Sequence, residues 1–299
     1  MNGTPKPERR LKLACEISAE HVVAGRASQQ GDVLETCTVR SLPSGAVVPG
    51  LTNDNVPNAG ALKSVLSDAL ATIGDSHRDI VAVIPDAACR VTLLDFDSLP
   101  SKPAEADAVV RFRLKKALPF DVDRAVLSYD VRQNGAGVRV VAAVSPPGVI
   151  EEYESAFRSA GYVPGFVVPS TLASLGIVDA SSPTLVVKIA AGITTIAIVN
   201  NDDLVLYRTT DNPSGEALDP EQIADDAYPS LIFFQDTYGL QIERILVGGT
   251  GSFDLVSRAL ESCTGVHPQE LVPQYALSSA AVGSAQRPFV AGIMGALIS

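Results

Sequence analysis

The residues best placed to do chemistry lie between Leu185 and Thr210, where Gly192 is followed by the hydroxyls of Thr194 and Thr195. A small-residue turn between two buried strands lets a phosphate approach the backbone, because Gly192 carries no Cβ and the threonine hydroxyls donate to oxygens. The same pattern also makes a tight β-hairpin with no ligand. Leu11 to Gly25 has the same plan of strand, small turn and strand, with Glu16-Ile17-Ser18 standing where Lys188-Ile189-Ala190 stands in the second copy. This is a weak internal repeat at half-chain spacing. A third piece, Arg244 to Gly251, is a buried strand running into Gly248-Gly249-Thr250-Gly251 and then a helix from about 252 to 262. That layout can place backbone amides against a nucleotide. The candidate nucleotide-binding set is therefore Glu16, Ser18, Gly192, Thr194, Thr195, Gly248, Gly249 and Thr250.

Other chemistries find less support. The turn from Gly249 to Asp254 lacks the third glycine of a dinucleotide fingerprint and comes late in the chain. No Gly-x-Ser-x-Gly elbow occurs, and His21, His77 and His267 have no carboxylate or nucleophile at a catalytic spacing. A sugar-kinase reading needs a catalytic aspartate near the hairpins, and none suggests itself. Cys15, Cys37, Cys89 and Cys263 show no metal-ligand spacing and read as small buried thiols in a reducing compartment. A net charge of -11 argues against an overall basic field for nucleic acid. The composition fits a cytosolic protein.

The elements that must position these residues read as two cores, which 299 residues at 46% hydrophobic content can fill. After a loose tail over 1–10, strands are expected at about 11–17, 20–27 and 33–41. A helix follows over 60–74, then strands at Asp79 to Pro85 and Arg90 to Phe96. Ala106, Val109, Val110, Arg113 or Leu114, and Ala117 mark one face of a helix that Pro119 ends. Strands 125–132 and 137–145 are joined by an Asn134-Gly135 turn, and the whole stretch reads as an inserted subdomain. Pro229 lies inside a predicted helix over 220–238, which either starts near it or kinks there. The closing run Pro288 to Ile298 is apolar but too short to span a bilayer, and reads as a buried helix.

Two phosphate hairpins in related halves, with a late strand, Gly-Gly turn and helix, resemble the actin-like ATPase superfamily. Within it, the stretch Val110 to Val131, with Leu118-Pro119-Phe120, Asp121, Asp123 and Tyr129-Asp130, resembles PilM-type pilus assembly proteins over nearly the whole chain. The resemblance implies an α/β, ribonuclease H-like fold of two related domains. These are 11–170, with an inserted subdomain at about 100–146, and 171–299. It implies ATP with Mg²⁺ as cofactor, and a cytoplasmic adaptor held at the inner membrane through its partner. That partner is the N-terminal cytoplasmic peptide of a PilN-like protein, beside other components of a type IV pilus or related secretion platform. The docking groove it implies would involve Phe112, Leu114, Leu118, Pro119 and Phe120, opposite Val91, Leu93 and Leu94. The bare residues allow a second reading, in which these side chains fasten the insertion to the core. Arg111, Arg113, Lys115 and Lys116 form a basic cluster that reads as a solvated face or as a contact for anionic lipid.

The chain departs from the superfamily's pattern where metal is held. An Asp-Ile-Gly is expected in each hairpin, because a carboxylate orients Mg²⁺ and its waters. Here Glu16-Ile17-Ser18 softens the first, and Lys188-Ile189-Ala190 puts a cation in the second. Lys188 either touches a phosphate or pairs with Glu16 across the cleft. The resemblance implies a polar residue where Val23 stands, a carboxylate to position water where the chain reads Pro169-Ser170-Thr171, and a Glu and a basic residue near the adenosine where Asp226 and Tyr228 stand. The expectation is an interaction protein with a degenerate nucleotide site and no catalytic residue. The alternative is an active Mg²⁺-dependent ATPase resting on Glu16.

Overall fold

The computed structural model describes residues 11–74, 77–211, 219–272, 277, 283 and 286–298, so the tail expected over 1–10 lies outside the described residues. The apolar runs become strands whose order is the same in both halves of the chain. In the first, β1 (Leu13–Ile17), β2 (His21–Ala27) and β3 (Leu34–Ser41) form an antiparallel meander. β4 (Asp79–Ile84) joins β1 in parallel, and a later strand at Val163–Pro169 joins β4, also in parallel. Parallel strands covered on both faces read as unbroken apolar runs, and every residue of β1 is buried.

A three-stranded antiparallel sheet interrupts this plan. It consists of β5 (Arg90–Phe96), β6 (Val126–Asn134) and β7 (Gly137–Ser145), in the order β5-β7-β6. The later strand of the first sheet is thus β8, and that sheet runs β3-β2-β1-β4-β8. The second sheet repeats the order with β9 (Thr184–Ala190), β10 (Ile193–Asn200), β11 (Asp203–Asp211), β12 (Arg244–Gly248) and β13 (Gln269–Glu270), arranged β11-β10-β9-β12-β13.

Helices cover the sheets. α1 (Ala59–Ile73) starts where the Asn58 side chain accepts from the Ala61 amide at 3.0 Å and stops at Gly74, whose φ of 65° suits glycine. α2 (Pro103–Leu114) buries Ala106, Val110 and Leu114, the last two against Val140 and Ala142 of β7. It ends a turn before Pro119, and Val109 and Ala117, expected on its inner face, are exposed because the small sheet offers only a narrow stripe of contact. α3 (Pro147–Ser159) packs with α1 over the first core. α5 (Pro220–Tyr238) runs through Pro229 as one helix and shares the second core with α6 (Phe253–Thr264). Short α4 (Ser170–Ser174) and α7 (Ala291–Ile298) sit between the two large sheets, where Val290, Ala291, Ile293, Met294 and Leu297 are buried.

The cysteines divide more sharply than expected. Cys15 and Cys89 are buried and Cys37 is half-buried, whereas Cys263 lies on the outer face of α6 and is exposed. Among the described residues no helix is long and apolar enough to cross a membrane.

Candidate functional site

Because β1 and β9 hold the same place in their sheets, Glu16 and Lys188 face each other between the halves. Lys188 Nζ lies 3.2 Å from Glu16 Oε1, and both side chains are more than nine-tenths buried. Ser170, at the start of α4, donates to Glu16 and bonds Lys188 as well. A second buried carboxylate lies beside this couple. Asp86 follows β4 and accepts from the Thr171 amide at 2.9 Å, the Thr171 hydroxyl at 2.5 Å, the Thr195 hydroxyl at 3.3 Å and the Tyr207 hydroxyl at 3.0 Å. Burial, and then the negative charge of Asp86, pushes the Tyr207 phenol well above its ordinary range. Two carboxylates of the first half thus bond β9, β10 and β11 directly, and each also holds one of two neighbouring residues of α4. Removing one partner from such a pair leaves an uncompensated buried charge, at a cost of about 3–5 kcal/mol.

The space above this couple is small. Its lining includes Glu16, Ser18, His21, Lys188, Gly249 and Phe289, and its volume is about 40 Å³. That is room for about one water, against the roughly 300 Å³ or more of a small-molecule site. Phe289 stacks on His21 with ring centroids 4.7 Å apart, and the Gly249 amide donates to the Pro288 carbonyl at 2.9 Å. Gly249 needs its φ of 81°, and any Cβ there would run into the Ile189 carbonyl. A Cβ at Gly292 would overlap the Glu16 carboxylate. The chain's own segment 287–292 therefore fills the space beside both hairpins.

Of the eight candidate nucleotide residues, Glu16, Ser18 and Gly249 line this cavity. The other five do not. The Ser18 hydroxyl accepts from the His21 amide at 2.9 Å and so closes its own turn. Gly192 forms the hairpin turn with φ of 69°, while Thr194 and Thr195 are buried, with Thr195 turned to Asp86. Gly248 packs on Leu271, and Thr250 accepts from the Ser252 amide at 3.0 Å, at the approach to α6. The described residues hold no group of three His, Cys, Asp or Glu side chains able to bind a metal ion. In this arrangement the residues do not fit Mg²⁺ with a nucleotide. Asp86, Tyr207 and Phe289 are the members that sequence reasoning missed.

The candidate groove residues also separate. Leu114, Leu118 and Leu94 pack together inside the subdomain and are its core. Phe112 is 64% exposed and Pro119 is exposed, while Phe120 is half-buried. Val91 and Leu93 pair with Ala143 and Val141, which puts them on the sheet face turned away from α2. No single groove brings the two sets together, because β5 belongs to the same small sheet that α2 covers.

An open channel lies on that other face. One end, about 470 Å³, is lined by Ser128, Val141, Ala143, Phe166, Leu172 and Leu175 among others, with Asp202, Asp203 and the Asp130–Arg132 pair, 2.6 Å apart, as its charged residues. The other end, about 280 Å³, shares Ser128, Ala143 and Phe166 and continues to Ile150 and Glu154 of α3. Phe166 is 56% exposed between them. The channel runs between β6 and β8, each the edge strand of its sheet.

No protein-family model matches the chain, and no curated protein matches it in sequence. Among solved structures it is similar to one described as the PilM-PilN type IV pilus biogenesis complex, with a TM-score of 0.77 and 21% identity over 97% of this chain and 98% of that one. It is also similar to the cytoplasmic domain of EpsL, an inner membrane component of the type II secretion system of Vibrio cholerae, with a TM-score of 0.55 and 11% identity over 96% and 94% of the two chains. A Bacteroides thetaiotaomicron protein with an actin-like ATPase fold aligns with a TM-score of 0.53 and 8% identity over 93% and 94%. The repeated five-stranded sheets, the α7 helix between them and these likenesses together identify the fold of this chain as that of the actin-like ATPases.

Proposed function

We propose that this protein is a cytoplasmic adaptor of a type IV pilus or related secretion platform, and that it holds the N-terminal cytoplasmic peptide of a PilN-like membrane protein in the channel between β6 and β8. The observation that carries this reading is the contrast between its two clefts. The channel is open, floored by Val141, Ala143 and Phe166, and acidic at one mouth, whereas the space at the hairpins is filled by the chain itself. Two free strand edges suit an extended peptide, which adds main-chain hydrogen bonds to apolar contacts. Asp130 is taken up by Arg132 at 2.6 Å, and Asp202 and Asp203 leave a net negative charge that favours a peptide carrying a cation beside its apolar residues. The likeness in fold to a PilM-PilN complex supports the choice of partner. In the same reading the nucleotide site is degenerate, and the Glu16–Lys188 pair holds the halves together where metal and nucleotide would otherwise do so.

Fluorescence anisotropy with a labelled synthetic peptide, the cytoplasmic N-terminus of the platform's PilN-like protein, tests the first half. Saturable binding is expected, weakened about tenfold by Phe166→Ser, which removes an anchor worth about 1.4 kcal/mol or more. Phe112→Ser, outside the channel, should leave it unchanged. Absence of binding overturns the adaptor reading. Calorimetric titration of ATP with Mg²⁺ tests the second half, with no heat of binding expected; micromolar affinity would overturn the closed site and leave the peptide result standing.

A further inference from the structure

We propose that the outer face of α5 is an interface with a second copy of this chain, and that it receives the exposed end of α2 from that copy. α5 buries Ile223, Ala224, Ala227 and Phe234 but leaves Tyr228, Ile232 and Phe233 at 50%, 39% and 49% exposure. Residues three and four apart share a helix face, so these three and Pro229 form one apolar stripe. Lone exposed apolar residues are ordinary; a continuous stripe with two aromatics marks a contact surface. The charge around it has one sign. α5 carries Glu221, Asp225, Asp226 and Asp236, with no Lys or Arg between Pro220 and Tyr238.

The occupant must therefore present an apolar group beside cations, and the chain itself has such a surface. Phe112, at the end of α2, is the most exposed large apolar side chain among the described residues, at 64%. Lys116 Nζ lies 5.3 Å from its ring centroid, and Arg113 stacks over Phe96 beside it. Arg111 is held inward by Asp107 at 2.7 Å and by the carbonyls of Val122 and Ala125, and Lys115 is paired with Asp123 at 2.6 Å, so the outward cations are Arg113 and Lys116. A positive apolar knob stands on one element and a negative apolar stripe on another, in a protein whose net charge of -11 otherwise opposes self-association. Two different patches on one chain pair copies head to tail or, if a two-fold axis relates the copies, reciprocally.

Sedimentation velocity up to about 100 μM protein, in about 50 mM and about 500 mM salt, tests this, since screening shortens the reach of charge pairs as salt rises. The expected result is concentration-dependent association at low salt that weakens at high salt. Phe233→Ser and Phe112→Ser should each abolish it, with circular dichroism melts unchanged because both side chains are exposed. Mixing the two variants should restore a complex, since the intact α5 of one meets the intact α2 of the other. Pairing Asp236→Lys with Lys116→Glu should likewise regain what either change alone loses. A protein that stays monomeric throughout, an association that Phe112→Ser leaves intact, or a mixture of the two variants that stays monomeric would each overturn the proposal.

Discussion

Lys188 is turned inward onto Glu16 and Ser170. Replacing it with methionine strands the Glu16 carboxylate in a site more than nine-tenths buried. Lys188→Met should therefore lower stability in urea by about 3–5 kcal/mol, and Glu16→Gln added to it should recover most of that loss. If the single change cost less than about 1 kcal/mol, the pair would not be the fastening between halves. The pairing of these two residues is legible in sequence because the half-chain repeat gives them equal positions in β1 and β9. Asp86 is not legible, since its partners Thr171, Thr195 and Tyr207 come from three elements with no common spacing. Thr194 and Thr195 mislead in the opposite way. Hydroxyls beside a glycine turn suit phosphate, yet in an eight-residue strand covered on both faces they are interior side chains.

At the scale of elements, α7 owes its place to small residues. Gly295 lies against the Ala173 carbonyl of α4, where a Cβ would overlap backbone that cannot give way. Gly295→Ala should cost about 1–3 kcal/mol, read as a lower urea midpoint with an unchanged slope. A neutral result would mean that α4 and α7 are not closely seated. The burial of α7 is readable from its composition, an apolar run too short for a bilayer. The neighbours of β5 are not readable. Alternation tells which side chains share a face and says nothing of which strand lies alongside, so Val91 and Leu93 read as one wall of a groove whose other wall was α2. Once β5 pairs with β7, helix and strand become two layers of one small body, and the open surface is its reverse.

For the molecule as a whole, the two sheets are bound through buried acids, an amine and a phenol, and the buried thiols of the first half make its stability depend on pH at the alkaline end. Burial pushes the Cys37 and Cys89 thiols from an ordinary 9.0 up to about 12. A folded-state value raised in this way means that the native protein keeps a proton the unfolded chain gives up. The stabilisation is complete below about pH 9 and is lost progressively as pH climbs towards 12. Urea midpoints should fall over that window, and Cys89→Ala should flatten part of the fall. A midpoint that rose with pH would contradict the assignment. The order of strands within each large sheet follows from the repeat, whereas the closed state of the cleft does not, because it depends on residues 287–292 returning to β1 from far along the chain. That return has a consequence for synthesis. The inner face of the first sheet, with Ala14, Val23, Val81 and Val83, shares one core with Ile293, Met294 and Leu297. On the ribosome this face must wait for residues 290–297 to emerge, so until then the nascent protein carries an uncovered apolar sheet and is the form in which a chaperone would find it.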